Sequence, residues 1–313
     1  NRVPFTPGDR VSVVDNERQW WLATHVVVTA VEGRRVRLSE PLAHGIKVEQ
    51  DALIMSAFPG ITTPGTGSME RREPVYDVVV RDLALHGARR SAPEHYWGDF
   101  TLSAVHLVHC HRARITNVSV FHWLSDGISI QGGADVQVTH CQVRGCGNGF
   151  HPGGGLKRSI WSHNVGVGNK SDGLFVCGLV HDSVISDNVF SGNGAAGIGG
   201  LGYADCHHNV IANNICSDNG RCGIANDDTA GHLISGDELR RLRGGYLITG
   251  NMLRNNSQKE PGVHAALRLH NAQRFIVQGN RCTDDQVRPT QSRGIVESGD
   301  SDWNLISGNL CVG

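Results

Sequence analysis

The chain has 313 residues, 39% hydrophobic and 19% charged, with 40 Gly, 9 Cys and a formal net charge of −1. That length can bury a large core, while so small a net charge argues against a general nucleic-acid surface or a polybasic membrane surface. No apolar run is long enough to span a bilayer, and no signal peptide is visible at Asn1.

Residues 1 to about 70 carry alternating apolar runs, "DRVSVVD", "THVVVTAVEG" and "RRVRLSEPL", which predict β-strands. An open stack of coils needs a cover against edge pairing, so residues 1–74 are predicted to be a β-rich N-terminal cap with a linker, "FPGITTPGTGSMERREP". Trp20 and Trp21 in "NERQWW" suit either packing or stacking on a sugar.

From residue 75 to 313 the chain repeats. An [IV]-x-x-N pattern places Asn at 117, 164, 188, 214, 251, 280 and 309, with Cys141 filling the gap after Asn117. The spacings are 24, 23, 24, 26, 37, 29 and 29, which predict an all-β solenoid adding one coil at a time. A second polar position recurs at Asn169, Asn193, Asn219 and Asn256, followed by Gly-apolar pairs such as Gly149-Phe150, Gly173-Leu174 and Gly197-Ile198. Stacking like residues at about 4.8 Å predicts amide ladders at the turns and apolar columns in the bore. Cys216, Cys282 and Cys311 share one position of the repeat and predict an inward thiol stack. The longest insertions follow Asn214, with an amphipathic helical stretch at about 233 to 243, and then Asn251 and Asn280. Loops of this kind wall a cleft or lie on the surface.

Chemistry is expected on residues that alternate outward after each Gly-apolar pair, namely Ser129, His151 and Phe175, then Gln131. Asp126 and Asp172 precede their glycines two coils apart, with His151 on the coil between, at a predicted separation of about 9–10 Å. That approaches the distance at which one carboxylic acid protonates a glycosidic oxygen while another carboxylate activates water. "HPGGG" at 151–155 predicts a backbone bent away from the strand to admit a ligand, with Lys157 and Arg158 meeting an acidic sugar. A second set, Asp227, His264, Arg268 and Glu297, suits β-elimination on a uronic-acid polymer, with His264 as base, Arg268 as neutraliser and Asp227 with Asp228 as possible Ca²⁺ ligands. The 17 His show no zinc-binding spacing, and otherwise no cofactor is expected.

The Asn-ladder coils resemble the right-handed parallel β-helix, or pectin-lyase-like, superfamily over about residues 75 to 313. The resemblance implies a carbohydrate-active protein, secreted or at the cell surface, monomeric or homotrimeric like phage-type depolymerases. "SDGIS" at 125–129 is similar to the first acidic motif of polygalacturonases, with Ser129 where that family has a second acid, and its Gly-His-Gly and Arg-x-Lys motifs are missing. The expected function is polysaccharide cleavage, with hydrolysis slightly ahead of elimination and a glycan-binding or adhesin-like solenoid as the non-catalytic alternative.

Overall fold

A computed structural model describes residues 4–14, 24–39, 41–42, 47–50, 52–55, 61–62, 74–87, 102–202, 206–227 and 244–312. The alternating N-terminal runs form β1 (Arg10–Val14), β2 (Thr24–Glu32), β3 (Arg35–Leu38) and β4 (Leu53–Met55). They pair antiparallel in the order β3-β2-β1-β4 around a small core of Val11, Val13, Val26 and Val28. Trp20, Trp21 and the 233–243 stretch lie outside the described residues.

Among the described residues, all strand pairing beyond this sheet is parallel, coil on coil, in a ten-stranded and a sixteen-stranded sheet. One coil consists of Ile128–Ala134 in the first sheet and Gln137–Thr139 and Gln142–Arg144 in the second. The second sheet bends through the long strand Arg114–Phe121, whose two halves pair with Gln137–Thr139 and Gln142–Arg144 respectively, and so provides two of the coil's three faces. Inward residues stack in register, as in the column Ile128, Phe150, Leu174, Ile198, Ile224 and Leu267. The predicted inward thiol stack is met only in part: the three share one column, but Leu253 stands between Cys216 and Cys282, and Cys311, which pairs with Cys282, is exposed. All nine cysteines are free.

The amide ladder runs as predicted from Cys141 onward. The backbone N–H of each ladder residue donates to the side-chain oxygen on the next coil, from Cys141 to Asn164 (3.0 Å), then to Asn188, Asn214, Asn251, Asn280 and Asn309. Each side-chain NH₂ in turn donates to a backbone carbonyl of the preceding coil, as Asn214 does to Ile185 at 2.9 Å. The second ladder links Cys146, Asn169, Asn193, Asn219 and Asn256 and ends on Gln291, which the repeat pattern did not reveal.

Asn117 is not a rung. Strand pairing sets Ile115 against Val138 and Val138 against Trp161, so Asn117 aligns with His140 and His163, one residue before the ladder. All three have left-handed backbones, with φ of 53°, 56° and 58°, a conformation that Asn, Asp and His tolerate better than most residues. The same corner is made by Asp187, Asn213 and Gly250 on later coils. Several of the many His therefore shape turns, and His140 and His163 stack there with centroids 5.0 Å apart.

The recurring Gly before each apolar residue has a steric cause. A Cβ on Gly149 would stand 2.3 Å from the Gly173 carbonyl oxygen, and one on Gly173 would stand 2.6 Å from that of Gly197. Only glycine lets the coils approach to hydrogen-bonding distance at this corner.

Asn214 is fully buried, and its loss strands the Asn188 N–H and the Ile185 carbonyl. Asn214→Ala should therefore lower the unfolding free energy by about 2–6 kcal/mol, given roughly 1–3 kcal/mol for each buried polar group left unpaired. Asn117→Gly, at a left-handed corner outside the ladder, should leave the urea midpoint almost unchanged. Equal effects in urea denaturation would contradict this reading.

Candidate functional site

The outward column of the ten-stranded sheet begins His106, Ser129, His151, then passes through Phe175 paired with Gly199 and Ala225 paired with Arg268. The predicted alternation is thus present, but its first part is not an open surface. His106, Ser129, Gln131 and His151 are all buried, and Gln131 Nε2 donates to Ser129 Oγ at 2.9 Å. The "HPGGG" expectation is corrected here. Phe150–Gly153 continues the strand, Pro152 lies in register with inward Ile130, and the space at Gly153 is taken by the Gln131 amide rather than by a ligand. The turn comes at Gly154 and Gly155, with φ of 60° and 78°.

Asp126 and Asp172 belong to a third side-chain ladder. Asp126 Oδ1 accepts the Asn148 N–H (2.7 Å) and Nδ2 (3.0 Å), Asn148 Oδ1 accepts the Asp172 N–H (3.1 Å), and Asp172 Oδ1 accepts the Ala196 N–H (2.7 Å). Asn148, not His151, therefore stands between the two carboxylates. His151 bonds Asp126 alone of the two, through Nδ1 and Oδ2 at 2.6 Å. Burial by itself would lower the His151 pKa, but the hydrogen bond to Asp126 overrides it and holds the imidazole above its usual value. Asp126 is 1% exposed, which removes it from any cleft that a polymer could enter.

Asp172 differs. Burial pushes its carboxyl up to about 6 against the backbone bond from Ala196 and a 3.1 Å bond from Ser171 Oγ, yet it lines an open cleft of about 240 Å³. Phe175, Arg221, Asp227, His264 and Arg268 complete the polar and aromatic wall. Gly199 and Gly200 keep the floor clear, because a Cβ on Gly199 would press on the Asp172 carboxylate and one on Gly200 on the Phe175 ring. Arg268 Nη1 lies 3.2 Å from Asp227 Oδ1, and His264 Nε2 lies 3.2 Å from Glu260 Oε2. An ionised carboxylate only accepts hydrogen bonds, so in a neutral His264 the proton sits on Nε2 and the lone pair on Nδ1.

The structure thus joins Asp172 and Phe175 of the first predicted set with Asp227, His264 and Arg268 of the second. Arg221 was missed, although it is the only charged residue in a column of small ones, Ser125, Gly147, Ser171 and Ala195, and that contrast was readable in the sequence. Other expectations are corrected. Arg158 makes a bidentate pair with Asp135 (2.7 and 2.9 Å) at a separate corner, where Lys157 bridges Ala134 and His181, and neither lines the cleft. Glu297 stands in register with inward Leu269 and accepts from Asn304 Nδ2 at 2.8 Å. Trp123 packs against the core and donates its indole N–H to the Leu102 carbonyl at 2.7 Å. Asp228 lies outside the described residues, and Asp227 already has a cation in Arg268. Among the described residues, no group of three or more His, Cys, Asp or Glu is placed to hold a metal ion, and no helix is long and apolar enough to cross a membrane.

A family model described as "Right handed beta helix region" matches residues 99–240. No curated protein matches the chain in sequence. Similar solved structures include a double mutant of the periplasmic alginate epimerase AlgG, 12% identical with a TM-score of 0.53, covering 76% of this chain and 69% of that one. An alginate lyase from Paenibacillus sp. str. FPU-7 is 14% identical with a TM-score of 0.48, covering 72% of each chain. The Dettilon tailspike protein is 16% identical with a TM-score of 0.44, covering 76% of this chain and 54% of its own. Identities this low carry the architecture alone, and with the parallel coil-on-coil register they lead to one conclusion: the chain folds as a parallel β-helix, with residues 99–240 matching the right-handed β-helix family model.

Proposed function

We propose that the cleft binds an acidic polysaccharide and removes the proton beside a uronate carboxylate, breaking the chain by β-elimination. The observation that carries this reading is the meeting of two Arg, a His and a carboxyl of raised pKa in one cleft. Arg221 and Arg268 neutralise the sugar carboxylate, which stabilises the carbanion character that develops when the adjacent C–H bond breaks. His264, held by Glu260, takes that proton on Nδ1. The electron pair becomes the new C=C bond, the glycosidic C–O bond breaks, and Asp172 protonates the departing oxygen. Phe175 offers a sugar-stacking ring at the cleft edge.

Hydrolysis is the second reading, favoured by one observation: Asp172 and Asp227 share the cleft, one with a raised pKa and the other held beside Arg268. Two carboxyls in one cleft are the pair that acid and base roles in hydrolysis require. The Asp126–Asp172 pairing loses its support through the burial of Asp126. An alginate epimerase among the structures that share the fold agrees with a uronate polymer as substrate. Such polymers are met outside the cytoplasm, and we place the protein there.

Digestion of a panel of neutral and uronic-acid polysaccharides, followed by ultraviolet absorbance of unsaturated ends and by reducing ends, tests the proposal. Elimination predicts both signals, with losses of roughly 100-fold or more in His264→Ala and Arg268→Ala. Reducing ends without the chromophore, lost in Asp172→Asn and Asp227→Asn, would instead establish hydrolysis, and silence with retained binding would favour a glycan-binding solenoid.

The pH dependence has a definite sign. An acid must be protonated to act, so turnover should fall as pH rises through about 6, and Asp172→Asn should remove that limb. The folded state also holds this proton more tightly than the unfolded chain, so stability should fall as pH rises from 3.8 to about 6, a slope that Asp172→Asn should flatten. Both are read from pH–rate and pH–urea profiles.

A further inference from the structure

The insertion that carries His264 also sends a cation back over the preceding coils. Its first residues turn along the solenoid, with the Ser257, Gln258 and Lys259 N–H groups donating to the carbonyls of Arg221 (2.6 Å), Asn219 (3.1 Å) and Gly220 (3.0 Å). The next insertion buttresses it, since Gln258 Nε2 donates to Gln286 Oε1 and Thr290 Oγ1, both at 3.1 Å, and the Gly262 N–H donates to the Thr290 carbonyl at 2.7 Å. From this fixed backbone the Lys259 side chain lies along a shelf of two glycines. A Cβ on Gly220 or Gly194 would strike a carbonyl oxygen of the preceding coil, and the room that their bareness leaves is filled by Lys259. Its Cδ would stand 3.1 Å from a Cβ on Gly220, and its Nζ 2.9 Å from one on Gly194. The ammonium is thereby carried two coils back from its own backbone. Lys170 stands exposed in the same column, one coil before Gly194. Cations thus fall at four successive levels of about 4.8 Å each, in the order Arg268, Arg221, Lys259 Nζ and Lys170. Among the described residues none of Arg221, Lys259 and Lys170 is held in an ion pair, while Glu260, the acid next to Lys259, is taken by His264 and Asp227 by Arg268.

We propose that this row is a binding tract for consecutive carboxylates, so that the substrate is an uninterrupted run of uronate residues whose chain leaves the cleft past Arg221 toward Lys259 and Lys170. The proposal rests on the polysaccharide reading of the cleft and goes beyond it by naming the order of sugars. One coil advances about 4.8 Å, about the length of one sugar residue in an extended chain, so a carboxylate on every sugar meets a cation on every coil. A polymer that alternates acidic and neutral sugars fills only every second level. The row slants across the face, from the column of Ala225 and Arg268 to that of Arg221 and then to its neighbour, which holds Gly194 and Lys170. Each exposed ion pair is weak, so the tract works by number. Lys259 and Lys170 lie away from the reacting carbon and hold substrate and transition state alike, which lowers KM without raising kcat. Because His264 and Lys259 share one buttressed insertion, the tract and the base keep a fixed register.

The test is titration calorimetry at low ionic strength on the full chain carrying His264→Ala and Asp172→Asn, which lacks the base and the acid of the cleft. The probes are galacturonate and mannuronate oligomers of two and four residues and a hyaluronan tetrasaccharide, in which acidic and neutral sugars alternate. At least one of the uronate tetramers should bind about tenfold tighter than its dimer, two exposed ion pairs being worth roughly two- to fivefold each. Adding Lys259→Gln or Lys170→Gln should each remove its share from the tetramer and little from the dimer, while Lys157→Gln at the separate corner changes neither. The hyaluronan tetrasaccharide should bind no tighter than the uronate dimer. In the otherwise unaltered enzyme, Lys259→Gln should raise KM for the polymer and leave kcat unchanged. Tetramer binding untouched by both lysine substitutions, or equal affinity for the hyaluronan tetrasaccharide, would overturn the tract and leave the cleft reading standing. Failure of every oligomer to bind would overturn both together.

Discussion

The whole structure depends on one hydrogen bond repeated coil after coil, in which a buried backbone N–H at a corner is received by an amide oxygen on the next coil. A corner interrupts the strand ladder, and the polar groups it frees are buried away from water, where an unpaired donor is costly. Asn meets the need twice over, because its oxygen receives one coil's N–H while its NH₂ donates to a carbonyl of the coil before. Once two such ladders run along the solenoid, coil register is set. Every outward column, including the one that holds Phe175 and Arg268, inherits its position from them.

The same physics restricts the chemistry. Asp126 and Asp172 each receive a backbone N–H of the following coil, so each carboxylate is first a rung. What separates them is the second oxygen. That of Asp126 is taken by His151 within the protein, while that of Asp172 meets only Ser171 and the carboxyl borders the cleft. A rung whose second oxygen faces a cavity can carry a proton without giving up its place in the ladder. Glycine makes this possible next door, since the missing side chains of Gly199 and Gly200 are what hold the cleft open over Asp172 and Phe175.

Charge is arranged on the same principle of columns. Arg221 and Arg268 come from adjacent coils and enter at positions where earlier coils carry small or neutral residues, so positive charge is concentrated at one level of an otherwise nearly neutral chain. At the far corner, charge alternates instead, with Arg112 on Asp77 and Arg158 on Asp135, and the pairs neutralise one another. In the cleft Arg268 is paired as well, with Asp227 at 3.2 Å, and the two places differ in that the cleft adds Arg221 at the same level.

The sequence by itself determined the architecture, because a repeat of Asn, Gly and inward aliphatics has one efficient burial, and the hydrogen-bond pattern of each coil is local to its neighbours. It also determined the outward alternation, which a period of two dictates once a single inward residue is known. It misplaced Asn117 by one position, since a left-handed corner and a ladder rung accept the same residue type and differ only in backbone φ. Which outward residues meet solvent was decided by tertiary structure alone. Which residues border the cleft depends on what packs across the coils, so Asp126 and His151 are sealed inside while the equally buried Asp172 lines it, and residues more than fifty positions apart share a cleft with a carboxyl whose pKa burial has raised.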